Sequence, residues 1–353
     1  MSQTDRLRVA VVGATGYTGA ELLRILLGHP QVTVTALFAQ NKLAPRVSAV
    51  LPSLTGLCDL PVEAFDPEVA AARAEVAFCA LPHGASVAAV RALRRHGMRV
   101  LDLSADYRLR DPAAYETWYG APHGDPEGLR EAVYGLPELH REALRGATLV
   151  AVPGCYPTAS TLPLLPLLRT GLVDPGTVIV HALSGVSGAG RTPSSSTHLP
   201  ECAEGARCYK VAGTHRHTPE IEQILADAAG RPLPVTFTPT LAPMSRGILA
   251  TAYLDAPAGG VTVEAMVEAA RAYFVASPSV AVLDPGILPD TLWVRGSNRA
   301  HVGYAYDPRT RKVLAMGALD NLVKGAAGQA VQCMNLLAGF DEGEGLRGAA
   351  MFP

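Results

Sequence analysis

The chain has 353 residues, of which 48% are hydrophobic and 18% charged, and its formal net charge is −2 at pH 7. This length predicts about two domains with cores large enough to fold without disulfides. The near-neutral charge excludes the electrostatic footprint of a protein that binds nucleic acid or an anionic membrane, and favours a small, locally charged ligand.

The cysteines predict a reducing compartment. They show no CxxC pair and no dense framework, so we expect free thiols. No basic region followed by a long apolar core opens the sequence, and no later segment reaches the roughly 20 apolar residues of a membrane helix. We therefore expect a cytoplasmic protein. The cysteines are Cys58, Cys79, Cys155, Cys202, Cys208 and Cys333.

The first half of the chain alternates strands and helices. Residues 8–39 predict a strand, a glycine turn, a helix that stops at Gly28, and a second strand. Further strands are predicted at 75–82, 99–104 and 147–152, with a helix at 85–97. Buried, non-alternating strands separated by helices predict a parallel sheet covered on both faces.

After about residue 176 the pattern changes to longer, alternating strands. A hairpin is predicted around "DPRTRK", between strands 301–306 and 313–319. Helices are predicted at 262–277 and at 320–340, the latter ending near Gly339. The predicted fold class is therefore α/β, a Rossmann-type parallel-sheet domain plus an α+β domain with a mixed, largely antiparallel sheet. Its other predicted strands are 177–183, 234–241 and 247–254.

The turn "GATGYTG" predicts dinucleotide binding. Gly13, Gly16 and Gly19 lie between a strand and a helix, where small residues let backbone amides approach a pyrophosphate. The spacing is GxxGxxG instead of the commoner GxGxxG, and tight strand–helix packing is the alternative. The turn also supplies Thr15, Tyr17 and Thr18 as candidate cofactor contacts.

The end of the second strand favours NADP over NAD. An NAD site usually has an acidic residue there for the ribose hydroxyls, whereas "FAQNKLAPR" has none. Lys42 and Arg46 suit a ribose 2′-phosphate instead. The alternative is that both are ordinary solvated charges.

Cys155 lies where a predicted strand turns into a helix, in "VAVPGCYPTASTLPLLPLL". If that strand is parallel, the thiol lies at the sheet edge that binds ligands. A helix predicted over 157–168 would offer unpaired amides and a positive dipole end, which lower the pKa of a thiol and can hold an oxyanion. The alternative is a small buried cysteine.

His215 and His217 are candidate bases for this thiol. Residues 218–225 predict a helix with Thr218 as its N-cap and Pro219 at its first position. His217 would then precede a helix N-terminus, where the dipole disfavours imidazolium. A solvated loop histidine is the alternative for each.

Arginines in Gly- or Pro-bound contexts suggest an anionic substrate. The loop "SGVSGAGR" supplies Ser187 and Arg191, "LSADYRL" supplies Arg108, and "LAPMSRGI" supplies Arg246. Each alone could be a surface charge. The arrangement C-x5-C-x6-H-x-H formed by Cys202, Cys208 and the two histidines matches no usual zinc spacing, so no metal is expected.

Nine ordered motifs resemble the N-acetyl-γ-glutamyl-phosphate reductases of arginine biosynthesis, relatives of aspartate-semialdehyde dehydrogenase. They are "VGATGYTGAELLRILLGHP", "LPHG", "DLSADYRL", "YGLPEL", "VPGCYPT", "SGVSGAGR", "YKVAGTHRHTPEIEQ", "PMSRGI" and "DNLVKGAAGQAVQ". One region departs from the family, which often has a "TSR"-like stretch where this chain has "LFAQNK".

The resemblance implies roles for particular residues. Cys155 would be the nucleophile, His217 the acid/base with His215 close by, and Asn321 a contact to the nicotinamide. Pro82 of "LPHG" is a further implied cofactor contact. The resemblance also implies a homodimer or homotetramer. Its implied domains are 1–152 with 321–353, which bind NADP, and 153–320, which carry catalysis, substrate binding and oligomerisation.

The implied reaction is NADPH-dependent reduction of an acyl phosphate through a Cys155 thioester. An aminoadipyl or carrier-protein-linked acyl phosphate of lysine biosynthesis is an alternative substrate. A non-catalytic NADP-binding sensor is the alternative from another class of function.

Overall fold

The computed structural model describes residues 6–353, which form two compact units. The first unit contains the described residues up to Pro153 together with Ala326–Arg347. The second contains Gly154–Gly325 and Gly348–Pro353. The domain boundaries that we inferred from sequence differ at residues 153, 321–325 and 348–353, and they stay a prediction.

The first unit is built on a seven-stranded sheet in which all neighbouring strands are parallel. The strands are β1 (Leu7–Val12), β2 (Val32–Ala39), β3 (Val62–Ala64), β4 (Val76–Cys79), β5 (Arg99–Asp102), β6 (Val133–Tyr134) and β7 (Leu149–Ala151). Their order is β3-β2-β1-β4-β5-β7-β6. The chain reverses its direction of winding between β1 and β4, which is where open α/β sheets bind ligands.

Helices connect these strands. They are α1 (Tyr17–Leu26), α2 (Pro67–Arg73), α3 (Ser86–Arg95), α4 (Pro112–Tyr119), α5 (Pro126–Glu131) and α6 (Pro137–Arg145). Three of them begin with an Asp–Pro pair, in which the side chain of Asp66, Asp111 or Asp125 accepts a hydrogen bond from a first-turn amide. Such a pair caps the helix and fixes its first φ angle, so the chain starts a helix at these points.

Five helices belong to the second unit. They are α7 (Cys155–Thr161), α8 (Leu165–Thr170), α9 (Leu199–Cys202), α10 (Thr218–Ala229) and α11 (Val263–Tyr273). The single helix that we predicted over 157–168 is wrong. The structure has two helices, the first of which begins at Cys155 itself. They separate around Pro163, because a proline has no N–H to continue the ladder.

The second unit has a mixed seven-stranded sheet. Its strands are β8 (Asp174–Ser184), β9 (Arg207–Cys208), β10 (Val235–Leu241), β11 (Ile248–Asp255), β12 (Val280–Val282), β13 (Ala300–Asp307) and β14 (Lys312–Leu319), in the order β12-β13-β14-β11-β8-β10-β9. The neighbouring strands β12–β13 and β8–β10 are parallel, and the other four neighbouring pairs are antiparallel. The predicted hairpin is confirmed as β13–β14.

The last helix, α12 (Gly328–Ala338), belongs to the first unit and ends at Gly339 in the left-handed conformation. A π-helical turn, Val323–Ala327, precedes it. The predicted fold class, a Rossmann-type α/β unit plus an α+β unit with a mixed, largely antiparallel sheet, is confirmed. No helix among residues 6–353 combines the length and apolarity that crossing a membrane needs.

Candidate active site

The glycine turn joins β1 to α1, as predicted. Gly13 has φ +91°, and a Cβ there would lie 2.3 Å from the carbonyl oxygen of Ala80; a Cβ on Gly19 would lie 2.4 Å from the oxygen of Gly13. Both glycines are therefore required by packing. Gly16 differs, because it is the N-cap of α1 and a Cβ there would meet only the oxygen of Gly13, at 3.7 Å.

The open side of this turn suits a pyrophosphate. The first amides of α1 have no partner within the helix, and they lie at its positive end. Thr15, Gly16 and Thr18 are partly exposed, and Tyr17 is exposed. The glycine packing that brings β1 against α1 thus leaves backbone donors and small side chains facing outward, which fits a dinucleotide phosphate group.

The segment after β2 carries the two predicted cations. Lys42 and Arg46 are both exposed, and Lys42 has φ +63°, in the left-handed region. Arg46 is the N-cap of a short 3-10 helix, Val47–Ala49. No acidic side chain stands between the end of β2 at Ala39 and this helix.

The segment after β4 contains Pro82, which is exposed and precedes a turn held by Asp106. The Asp106 carboxylate accepts hydrogen bonds from the backbone N–H groups of Gly84 and Ser86. Asp102 accepts a further bond from the Ser86 hydroxyl. The motifs "LPHG" and "DLSADYRL" are therefore fixed to each other at one end of the parallel sheet.

Arg108 lies within this same unit and is buried, at 6% exposure. Its Nε donates to the carbonyl oxygen of Val152 at 2.8 Å, and its Nη2 donates to the carbonyl oxygen of Leu103 at 2.9 Å. These bonds join the segments that follow β5 and β7. The predicted contact between Arg108 and substrate stays a prediction.

Cys155 is the first residue of α7 and is partly exposed. Its N-terminal neighbour Gly154 is the N-cap, and the Gly154 N–H donates to Oε1 of Glu220 at 2.8 Å. On the other side, a Cβ added to Gly325 would lie 2.7 Å from the Cβ of Cys155. The backbone just before Cys155 is thus fixed by a buried carboxylate, its side chain packs against a glycine, and its thiol lies at the positive end of a helix.

The two histidines lie beside the residue that follows this cysteine. The ring centroid of Tyr156 is 5.6 Å from that of His215 and 5.9 Å from that of His217. The imidazole centroids are 4.8 Å apart. Tyr209 and Phe237 complete the aromatic surroundings, because each ring lies within 5.5 Å of the His215 ring.

His215 is held in its neutral form. Burial, together with the positive charge of Lys210, lowers its pKa to about 4. Its Nδ1 accepts a hydrogen bond from the backbone N–H of His217 at 3.1 Å, so a neutral imidazole carries its proton on Nε2. The predicted N-cap Thr218 is wrong by one residue: Thr218 is the first helical residue, and His217 is the N-cap.

The remaining predicted residues lie at the ends of β8, β11 and β14. Ser187 and Arg191 are partly exposed in the loop after β8, and Arg246 is partly exposed just before β11. The Arg246 Nη1 lies 3.4 Å from Oδ2 of the buried Asp320. Asn321 is buried and bonds to the Ser187 hydroxyl and to the Gly247 N–H. Its predicted contact to nicotinamide stays a prediction.

Two family models match the chain. The NAD-binding domain of semialdehyde dehydrogenases matches residues 8–147, and the dimerisation domain of semialdehyde dehydrogenases matches residues 155–321. The solved aspartate semialdehyde dehydrogenases of Vibrio cholerae (form II) and Candida albicans (with NADP) share the fold, with a TM-score of 0.70, 18% and 19% identity, and coverage of 94% of this chain and 98% of theirs. The fold and the family models therefore place this chain in the semialdehyde dehydrogenase class.

Curated relatives narrow this class. The N-acetyl-gamma-glutamyl-phosphate reductase of Pelobacter propionicus is 49% identical over 98% of this chain and 100% of its own length. That of Symbiobacterium thermophilum is 50% identical over 97% of this chain and 98% of its own length. The chain belongs to the N-acetyl-gamma-glutamyl-phosphate reductase family.

Three buried or half-buried residues of this site were not singled out from the sequence. Glu220 was visible only as an acid in the first turn of a helix, and its partner Gly154 lies 66 positions earlier. Tyr209 donates its hydroxyl to the Tyr156 hydroxyl at 3.0 Å, which ties the histidine segment to α7. Asp320 pairs with Arg246 across a separation of 74 positions. Such long separations leave no local signal.

Proposed function

We propose that this protein uses NADPH to reduce N-acetyl-L-glutamyl 5-phosphate to N-acetyl-L-glutamate 5-semialdehyde and phosphate, a step of arginine biosynthesis. The observation that carries the proposal is the partly exposed Cys155 at the first position of α7, whose neighbour Tyr156 packs against the paired imidazoles of His215 and His217. We place the reaction in the cytoplasm, where reducing conditions keep this cysteine a thiol.

The thiol begins the reaction. His217 takes the proton of Cys155, and the thiolate attacks the acyl carbon, so that a C–S bond forms as the C–O bond to phosphate breaks. The proton on His217 passes to the leaving phosphate. Backbone amides at the start of α7 stabilise the negative oxygen of the tetrahedral species, because these N–H groups lie at the positive end of the helix.

The thioester on Cys155 is then reduced. When bound, NADPH supplies the hydride for this step. The resulting oxyanion is held by the same amides, and its collapse breaks the C–S bond and releases the aldehyde. His217 returns a proton from solvent to the Cys155 thiolate. His215 stays neutral because its pKa is about 4, so only His217 of the two imidazoles carries a positive charge during the reaction.

Residues of the first unit fit the cofactor. Gly16, Thr15 and Thr18 would hold the pyrophosphate at the start of α1, on the open side of the glycine turn. Tyr17 and Pro82 are exposed and would be further contacts to the cofactor. Arg46 would bind the 2′-phosphate, which accounts for NADP in place of NAD.

The proposed function is tested by the reverse reaction, in which purified protein oxidises N-acetyl-L-glutamate 5-semialdehyde with added NADP, and the absorbance of the NADPH formed is followed. Formation of NADPH should require phosphate or arsenate. Cys155→Ala should abolish turnover and leave NADPH binding intact, whereas Cys202→Ala, also partly exposed and in the same unit, should keep wild-type activity. No turnover by wild-type protein that binds NADPH would overturn the proposal.

The choice of acid/base is tested separately. We expect His217→Asn to reduce kcat by about 100-fold, the usual effect of removing a general acid/base group. His215→Asn should reduce it less, because its Nδ1 bond to the His217 backbone is the contact that an Asn oxygen can replace. A larger loss at His215 would reverse the assignment.

We also propose that the protein is a homo-oligomer that pairs through the open face of the mixed sheet. Val178, Val180 and Ala182 of β8 are buried, on the face against which the helices pack. The alternate residues Ile179 and Tyr253, which are register partners on β8 and β11, are exposed. These two exposed apolar side chains lie within the region that matches the dimerisation domain. Ile179→Asp should lower the mass measured by light scattering, and an unchanged mass would contradict the proposal.

A further inference from the structure

The loops that follow β8 and precede β11 form one rigid piece. The backbone N–H groups of Gly185, Val186 and Ser187 donate to the carbonyl oxygens of Gly247, Met244 and Ser245, at 2.8, 2.9 and 3.1 Å. A Cβ on Gly185 would lie 2.8 Å from the backbone of Ser245 and Arg246. The loops therefore cannot move apart without breaking several backbone hydrogen bonds.

The Asn321 side chain joins these two loops through hydrogen bonds to both. It is 2% exposed, its Oδ1 accepts from the Gly247 N–H at 2.8 Å, and its Nδ2 donates to the Ser187 Oγ at 2.9 Å. The orientation of the amide is fixed, because a backbone N–H can only donate and must face the oxygen. Asn321 therefore presents an N–H to Ser187.

This bond sets the direction of the Ser187 proton. A hydroxyl that accepts a hydrogen bond from an amide N–H keeps its own O–H for another partner. Ser187 is partly exposed, so its O–H can donate outward. A hydroxyl donor with Arg246 on the paired loop is suited to an anionic oxygen.

The same segment reaches Cys155. Asp320 is fully buried, and its carboxylate accepts from the N–H groups of Gly296 and Leu322 at 2.7 and 2.8 Å. The Gly325 N–H donates to the Asp320 carbonyl oxygen at 2.9 Å, within the π-helical turn, and Gly325 lies against the Cys155 side chain. Single π-helical turns occur often at functional sites.

We propose that Asn321 is a positioning residue that turns the Ser187 hydroxyl outward as a donor to an anionic oxygen of the substrate, at a fixed distance from Cys155. The inference rests on the proposed function. The anionic oxygen belongs either to the phosphate or to the carboxylate of the substrate, and the reverse reaction separates them, because phosphate and semialdehyde are added as separate reactants.

Three variants test the inference. Ser187→Ala removes the donor. Asn321→Asp keeps an acceptor for the Gly247 N–H but turns the Ser187 proton inward. The double variant combines them. We expect each single variant to raise one KM, for phosphate or for semialdehyde, by at least about tenfold, the effect of losing one hydrogen bond to a charged group. The double variant should be no worse than the more affected single variant.

The measured quantities are both KM values, kcat and the Kd for NADPH. A raised KM for phosphate assigns Ser187 to the phosphoryl group, and a raised KM for semialdehyde assigns it to the carboxylate. A weaker Kd for NADPH in Asn321→Asp with unchanged KM values would overturn the inference and make Asn321 a cofactor contact. Additive losses in the double variant would also overturn it.

A purely structural role predicts another pattern. Both single variants would then lower the melting temperature and kcat with unchanged KM values, which contradicts the inference. Wild-type protein is assayed alongside: if it is inactive, the proposed function fails, and if it is active and the variants match it, only the inference fails.

Discussion

The Glu220 carboxylate accepts a hydrogen bond from the backbone N–H of Gly154, with 2.8 Å between Oε1 and the nitrogen. Gly154 is the N-cap of α7, immediately before Cys155, and Glu220 lies in the first turn of α10, shortly after His217. Glu220 is 1% exposed. One side chain therefore fixes the helix that begins at the thiol to the helix that begins beside the imidazoles.

Glu220→Ala should reduce activity through this bond. The substitution leaves the buried Gly154 N–H without its acceptor, a penalty of about 1–3 kcal/mol, and frees the start of α7 to shift. Because small displacements of a reacting group reduce rates by up to about 100-fold, we expect kcat to fall at least about tenfold. Glu220→Gln retains an oxygen acceptor and should keep most of the activity. The measurement is kcat of the reverse reaction together with the Kd for NADPH.

Glu222→Ala is the matched control. Glu222 is on the same helix, and its Oε1 accepts from the Val235 N–H at 2.9 Å, at the start of β10. It should lower the melting temperature in the same way and leave kcat near the wild-type value. Equal losses of kcat in both alanine variants would show that Glu220 acts only through general stability.

Features encoded by neighbouring residues were predictable from the sequence. The turn between β1 and α1 has its glycines within seven residues, and the β13–β14 hairpin is marked by alternation on both sides of a polar turn. The end of α12 at Gly339 follows from the left-handed conformation that glycine adopts readily. In each case the signal and the structure involve the same few residues.

Features that depend on distant residues were not predictable in this way. Arg108 suggests anion binding by type alone, whereas its described bonds to the carbonyl oxygens of Leu103 and Val152 depend on the fold. The contact of Tyr156 with both histidines likewise arises only when α7 packs beside α10. One further miss was local: Thr218 fits an N-cap by residue type, yet the helix starts at Thr218 and His217 is the N-cap.

Gly16 should tolerate a side chain for folding but not for cofactor binding. Gly16→Ala adds a Cβ that meets only the Gly13 oxygen, at 3.7 Å, so the melting temperature should stay within a few degrees of wild type. The added methyl lies on the open side of the turn and should weaken the Kd for NADPH at least about tenfold, because it blocks close approach to the backbone. Fluorescence titration with NADPH measures this effect.

Gly19→Ala provides the contrasting variant. Its Cβ would lie 2.4 Å from the Gly13 oxygen and 2.7 Å from the backbone of Ala14, so α1 must shift from β1. We expect a large loss of melting temperature in addition to weak binding. An unchanged Kd for NADPH in Gly16→Ala would show that the glycine turn does not bind the cofactor.

Asp102 should make stability depend on pH. Burial raises the pKa of its carboxyl from 3.8 to about 6, although the Ser104 and Ser86 hydroxyls partly oppose this rise. Because the folded pKa lies above the unfolded one, the stabilisation is fully present below about pH 4 and is lost as pH rises through about 6. The folded and unfolded pKa values of Asp102 differ by about 2, so the free energy of unfolding falls by on the order of 3 kcal/mol across this range.

Asp102→Asn should remove this part of the pH dependence. The amide oxygen can still accept from Ser104, while no charge is buried above pH 6. Urea unfolding across pH 4 to 7 should therefore show a flatter profile for Asp102→Asn than for wild type. Asp111→Asn, at the exposed N-cap of α4, should leave the wild-type profile intact. Parallel profiles for wild type and Asp102→Asn would contradict the assignment.

Lys210→Met should raise the pKa of His215. Burial is the larger cause of the low value of about 4, and the Lys210 charge is the second, so the pKa should rise without reaching 6.5. Since the folded pKa lies below the unfolded one, His215 contributes stability above about pH 6.5 that is lost as pH falls towards 4, and the variant should lose less of it. Histidine NMR titration measures the shift. Lys312→Met is the control, because it removes a lysine that is paired with Asp255, and it should leave the His215 titration unchanged. An equal shift of the His215 pKa in both variants would mean that Lys210 has no specific effect.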